Sequence, residues 1–88
     1  MEALRQKTQL YGATDFGLSN RKNKRFYVIY NNKIIHFGLK NGSTYIDHGD
    51  PIKRINYQKR HSKIIDKYGV PFYMQKSSPA FWSYYVLW

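Results

Sequence analysis

The chain has 88 residues, enough for one small domain whose single core is marginal unless packing is tight or partners add burial. Fifteen Lys and Arg against five Asp and Glu give a formal charge of +10, a self-repelling balance that a small domain tolerates best beside a polyanion. The lack of cysteine excludes disulfides and thiolate metal sites together.

No apolar run approaches the length of about 20 residues that a membrane span needs. Residues 1–11 also lack the apolar stretch of a signal peptide, so synthesis inside a cell is expected. Charge alone does not choose between nucleic acid, an acidic protein surface and an anionic membrane, although nucleic acid leads. The packing material is nine Tyr, five Phe and two Trp. Tyr joins a large apolar body to a polar tip, which suits wet interfaces as well as cores, and the surplus points to a contact surface.

Residues 1–24 mix Gly, Asn, Ser and Thr with charges and show no sustained period. They read as a basic N-terminal arm that a partner would order, with Leu4, Leu10, Tyr11, Phe16 and Leu18 as anchors. Arg21, Lys22, Lys24 and Arg25 crowd together just before the first strand. They read either as a solvated linker or as phosphate contacts.

Residues 25–88 are expected to form a small α+β domain, in which a β-hairpin or short antiparallel sheet packs on one main amphipathic helix and a short aromatic helix follows at the C-terminus. Residues 26–30, FYVIY, and 34–37 are β-branched and aromatic strand runs. Asn31-Asn32 between them suits the positive-φ turn of a two-residue hairpin. Both faces of the first strand are apolar, so both call for cover, and the helix can supply one. Gly38, Gly42 and Gly49 punctuate the next connection, where Tyr45-Ile46 suggests a third short strand. Phosphate cradling by these glycines is a weak signal, because no Lys-Ser/Thr follows them.

Asp50-Pro51 marks a helix start: Asp caps a free N–H, and Pro at the first position gives up a donor that would be unpaired anyway. At 100° per residue, Lys53, Asn56, Lys59, Arg60, Lys63 and Lys67 share an arc of about 120°, while Tyr57, His61, Ile64, Ile65 and Tyr68 gather on the other face. Gly69, with Pro71 beyond it, ends the expected helix. Arg54 falls on the apolar side, with Asp47 as its nearest partner. The cationic face is either merely solvated or a polyanion contact. Its shortage of acids at i+3 and i+4 favours contact.

Residues 70–74 read as extended. Ser78 and Pro79 repeat the cap-and-proline pattern, and residues 80–88, AFWSYYVLW, form an apolar run. A helix apolar nearly all round has to be buried, either in its own core or against another chain. The interface candidates are Phe81, Trp82, Tyr84, Tyr85 and Trp88.

Candidate chemistry is sparse. A Zn or Mg site can be drawn from His48, Asp47, Asp50 and His61, but capping and hydrogen bonding explain these groups better. No metal, cofactor, catalytic residue or small-molecule substrate is expected. The order of strand, hairpin, loop and Arg-bearing helix resembles the opening of GIY-YIG nucleases, which use a Tyr, an Arg and a metal held by a Glu. Here Glu2 is the sole Glu, and HFGLK stands where that family has Tyr-Ile-Gly. The analogy therefore stays remote.

Phe37-Gly38, Ser43, the run Tyr45-Ile46-Asp47-His48, Asp50, Lys53-Arg54, Tyr57 and Arg60-His61 together resemble a family of small basic proteins of nucleocytoplasmic large DNA viruses. The ending SSPAFWSYYVLW is similar to that family's terminal signature. The resemblance spans residues 25–88 and implies a viral setting rather than a reaction. Two functions fit. One is a non-catalytic minor capsid or virion core component, made in the host cytoplasm or nucleus, that contacts neighbouring virion proteins and whose basic face meets either acidic capsid surface or packaged DNA. The other is a free nucleic-acid binder whose cations meet phosphates and whose Tyr rings stack on unpaired bases.

Overall fold

In the computed structural model, which describes residues 2–88, the elements follow in the order α1 (Glu2–Leu10), β1 (Asp15–Leu18), β2 (Lys24–Tyr30), β3 (Lys33–Leu39), α2 (Tyr45–His48), α3 (Pro51–His61) and α4 (Pro79–Trp82). Helix α4 runs on into a π-helical turn, Ser83–Leu87. A 3-10 turn, Phe72–Met74, precedes it. This is the α+β class expected from the sequence, with one antiparallel sheet in the order β1-β2-β3.

The hairpin forms as its turn residues dictate. Asn31 and Asn32 take left-handed angles, φ 52° and 62°, which match the twist of the flanking strands. Pairing of Phe26 with Phe37 and Val28 with Ile35 sets these four side chains on one face. There they close over Phe16 and Ala13 and meet Phe81, Trp82, Val86 and Leu87 of the C-terminal helix. Trp82, Val28, Phe37 and Val86 are closed to solvent, and each such side chain contributes about 1.5–3 kcal/mol of burial. The indole N–H of Trp82 donates to the Lys76 carbonyl at 2.8 Å, so its polar tip is satisfied inside the core. Gly38 lets the helix approach: at φ +80° its Cα faces Leu87, where a Cβ would stand 2.9 Å from Cδ1.

Five expectations need correction. The segment read as an arm is, from Glu2 to Leu18, a helix and an edge strand; Met1 lies outside the described residues. Phe16 enters the core, and Tyr11 packs edge-on against Phe81 at 5.5 Å. Leu10 and Leu18 stay exposed. Tyr45-Ile46 is helical rather than a strand, because the Asp47 carboxylate accepts from both the N–H and the hydroxyl of Thr44 and starts a turn there.

The main helix stops at His61 instead of Gly69. Beyond it the Asp66 carboxylate takes the Tyr68 and Val70 N–H groups, and Ile65 bridges to Pro71. Side-chain competition for the backbone, next to β-branched Ile64-Ile65, outweighs helix propagation here. Gly69 is left-handed, φ +81°, but in that turn, and residues 70–74 pass into the 3-10 turn. Lastly, the C-terminal helix covers the sheet, whereas only Tyr57 of α3 is buried.

Candidate polyanion interface

The α2–α3 unit is fastened at three points. Arg25 on β2 grips Asp47 with both terminal guanidinium nitrogens, Nη1 and Nη2, at 2.7 Å, a two-pronged pair whose geometry favours Arg over Lys. The pair holds the Asp47 carboxyl well below the usual carboxylate range, the Arg25 hydrogen bonds being the largest cause and the Thr44 backbone the next. Asp50 caps α3 by accepting from the Ile52 and Lys53 N–H groups, as the sequence predicts. Tyr57 then lies flat between His61, at 4.0 Å, and Trp88, at 4.4 Å and 7°. Burial pushes the Tyr57 phenol up to about 12.

Those contacts reassign several candidate residues. Asp47 belongs to Arg25, so Arg54 lies over the Tyr45 ring at 4.9 Å instead. His48 Nδ1 accepts from the Asp50 N–H at 2.9 Å, and its ring sits 5.3 Å from Trp88. Among the described residues, no three His, Asp or Glu side chains converge on a metal-sized gap. Phe81 and Trp82, read as interface, are core, while Tyr84, Tyr85 and Trp88 are half-buried around it. Ser78 caps α4 through the Ala80 N–H. None of the described helices is long and apolar enough to cross a membrane.

What remains free is charge. Of the fifteen Lys and Arg, only Arg5 and Arg25 lie within ion-pair distance of a carboxylate among the described residues. Lys53, Lys59 and Arg60 stand exposed on α3, which contains no acid, and Lys63 follows just past its end. Lys67 is exposed on the next turn, its ammonium 5.1 Å from the Tyr68 ring centroid. Arg21 and Lys22 are exposed in the β1–β2 connection, and Lys24 is half-buried at the head of β2. The predicted cations thus form two groups, one on α3 and the turns after it and one beside the sheet, with Arg25 withdrawn into structure. Arg60 also flanks a cleft of about 230 Å³ with Ser43, Thr44, Tyr57 and Trp88.

Residues 14–61 match the model of a family of unknown function, DUF5754. The chain belongs to that family. The DUF5754 match runs from the β1 edge of the sheet to the end of α3 and includes the Arg25–Asp47 pair, the Asp50 cap and the Tyr57–His61 stack. Helices α1 and α4 lie outside it, so the aromatic cover of the sheet comes from outside the matched segment. No curated protein and no solved structure matches the chain.

Sequence reasoning missed two features of this site. The Arg25–Asp47 pair joins residues 22 apart, and a run of four cations hides which one is structural. The role of Trp88 was invisible for the same reason, since its partner Tyr57 looked like part of a continuous apolar stripe.

Proposed function

We propose that this protein is a non-catalytic binder of polyanions, with nucleic-acid phosphate as the ligand. The observation that supports this best is the acid-free α3, whose Lys53, Lys59 and Arg60 have no carboxylate within ion-pair distance among the described residues. Such cations gain most by displacing the counterions condensed on a phosphate backbone. The motif residues Tyr45, Asp47, His48, Asp50, Tyr57 and His61 are engaged in holding the helix, which leaves recognition to charge.

Titrating the protein into duplex DNA at several salt concentrations tests this. The affinity is expected to fall with a log–log slope of about −2 or steeper, which corresponds to two or more phosphate contacts. A flat salt response would overturn the proposal.

A second reading places the protein in a virus particle as a minor capsid or core component. The resemblance to viral proteins motivates it, and the exposed Ile52, Ile55, Ile65, Tyr68 and Met74 favour it, because apolar side chains concentrated in one segment mark protein contacts. Mass-spectrometric inventory of purified virions is expected to find the chain among structural components. Its consistent absence there would remove this reading.

A further inference from the structure

Among the described residues, no helix lines the depression on the face of the sheet turned away from the C-terminal helix. The antiparallel register aligns Gly17, Tyr27 and His36 in one row and Asp15, Ile29 and Ile34 in the next. Tyr27, Ile29, Ile34 and His36 of these rows, with Leu18, border this open depression of about 490 Å³, with Arg21 and Asn20 at its rim. The Tyr27 ring lies across Gly17, where a Cβ would come within 2.8 Å of Cε1. Its hydroxyl donates to Asp15 at 3.2 Å. His36 lies beside it, ring centroids 6.3 Å apart.

The β1–β2 connection is tied down onto this face. Ser19 Oγ is 2.7 Å from His36 Nδ1 and accepts from the Arg21 N–H, which brings Arg21 to His36. On the other side of the same histidine, Arg21 and Lys24 line a smaller hollow with Ile34 and Ile35. His36 is held below the ordinary imidazole value, by partial burial first and by Arg21 and Lys24 second. Near pH 7 it is therefore a neutral aromatic ring.

We propose that this face is a stacking platform for the bases of single-stranded nucleic acid, with Tyr27 and His36 beneath the bases and Arg21 and Lys24 on the backbone phosphates. The inference rests on the polyanion reading and adds to it a second site and a ligand class. Two rings, tilted by 51° to one another, with Arg21 and Lys24 beside them match the two surfaces of a single strand, since every unpaired base offers a π-face and every linkage a negative charge. A duplex offers the charge but keeps its π-faces stacked on one another. Asp15, an acid on this face, is occupied by Arg5 at 3.3 Å, the Tyr27 hydroxyl and the Phe16 N–H.

The test compares a thymidine-rich oligonucleotide of about twelve nucleotides, within the usual span of such platforms, with a duplex of equal length at one salt concentration. The single strand is expected to bind about tenfold more tightly, the order of one good base–ring stack. His36→Ala is expected to erase that preference and leave duplex affinity unchanged, while His36→Phe keeps it; Ile34→Glu, which sets a carboxylate beside Arg21, is expected to weaken the single strand more than the duplex. Ile34 is 62% exposed, so its replacement leaves the fold intact, and urea unfolding of each variant verifies this. Photocrosslinks from 5-iodouracil in the strand are expected in residues 26–33 or 34–40. Equal affinity for the two nucleic acids, or crosslinks confined to residues 51–67, would overturn the platform and leave the polyanion reading standing. Failure of both to bind would remove both.

Discussion

The sheet with its aromatic cover and the stretch between residues 44 and 75 are held in place by different means. In the first, Phe16, Phe26, Phe37, Trp82 and Leu87 interlock and exclude water. Among the described residues of the second, only Thr44 and Tyr57 are buried, and the hold depends on an ion pair, carboxylate caps and ring contacts such as Tyr57–Trp88 and Tyr73–Tyr84. The difference teaches where stability resides. A chain this short fills one core, so the second region keeps its Ile and Lys side chains outward, where they are available for contact.

Breaking the first region has the largest expected effect. Trp82→Ala empties the centre of the core and is expected to cost about 3–5 kcal/mol, most of what a small domain has in reserve. Urea unfolding reads this directly, and a midpoint like that of the parent would move the core elsewhere.

Trp88→Ala sharpens the comparison, because it removes the ring that Tyr57 lies on without entering the centre of the core. Amide hydrogen exchange in α3 is expected to quicken about tenfold, as for loss of one local contact of ~1.4 kcal/mol, with β2 unaffected. Equal acceleration in both would show that the two regions open as one unit.

Acid supplies a milder probe. Asp47 has its carboxyl depressed in the folded chain, so the Arg25 pair stabilises fully above the unfolded carboxyl value of about 3.9 and is lost as pH falls toward the folded value. Both partners are partly exposed, 22% and 34%, which limits the effect to about 1 kcal/mol. Asp47→Asn is expected to flatten this acid dependence in α3 exchange and to leave the sheet alone. An unchanged pH profile in the variant would assign the dependence to another group.

How much was legible in the sequence follows from the range of the interactions. The Asn31-Asn32 hairpin, the Asp50 cap and the Ser78 cap are set within a few residues, and each formed where local rules put it. The end of α3 was misread because Gly69 fits a helix stop as well as it fits a tight turn. The deciding group was Asp66, whose carboxylate collects N–H groups that a helix would have used. The fate of residues 2–18 was not legible, because Phe16 and Tyr11 are recruited by rings far along the chain. At the candidate site the exposed cations of α3 were readable from their spacing. Withdrawal of Arg25 into a pair, and of Phe81 and Trp82 into the core, depended on contacts made only once the chain has folded.

The most direct test of the division between a stabilising core and a binding surface uses one variant and two readings. Lys53, Lys59 and Arg60 are replaced together by Glu, and the urea unfolding curve and duplex DNA affinity are measured on the same sample. An unchanged unfolding midpoint and a loss of affinity are expected, with a salt slope shallower by about 0.9 for each phosphate contact removed. Unaltered DNA binding in a folded variant would contradict that division.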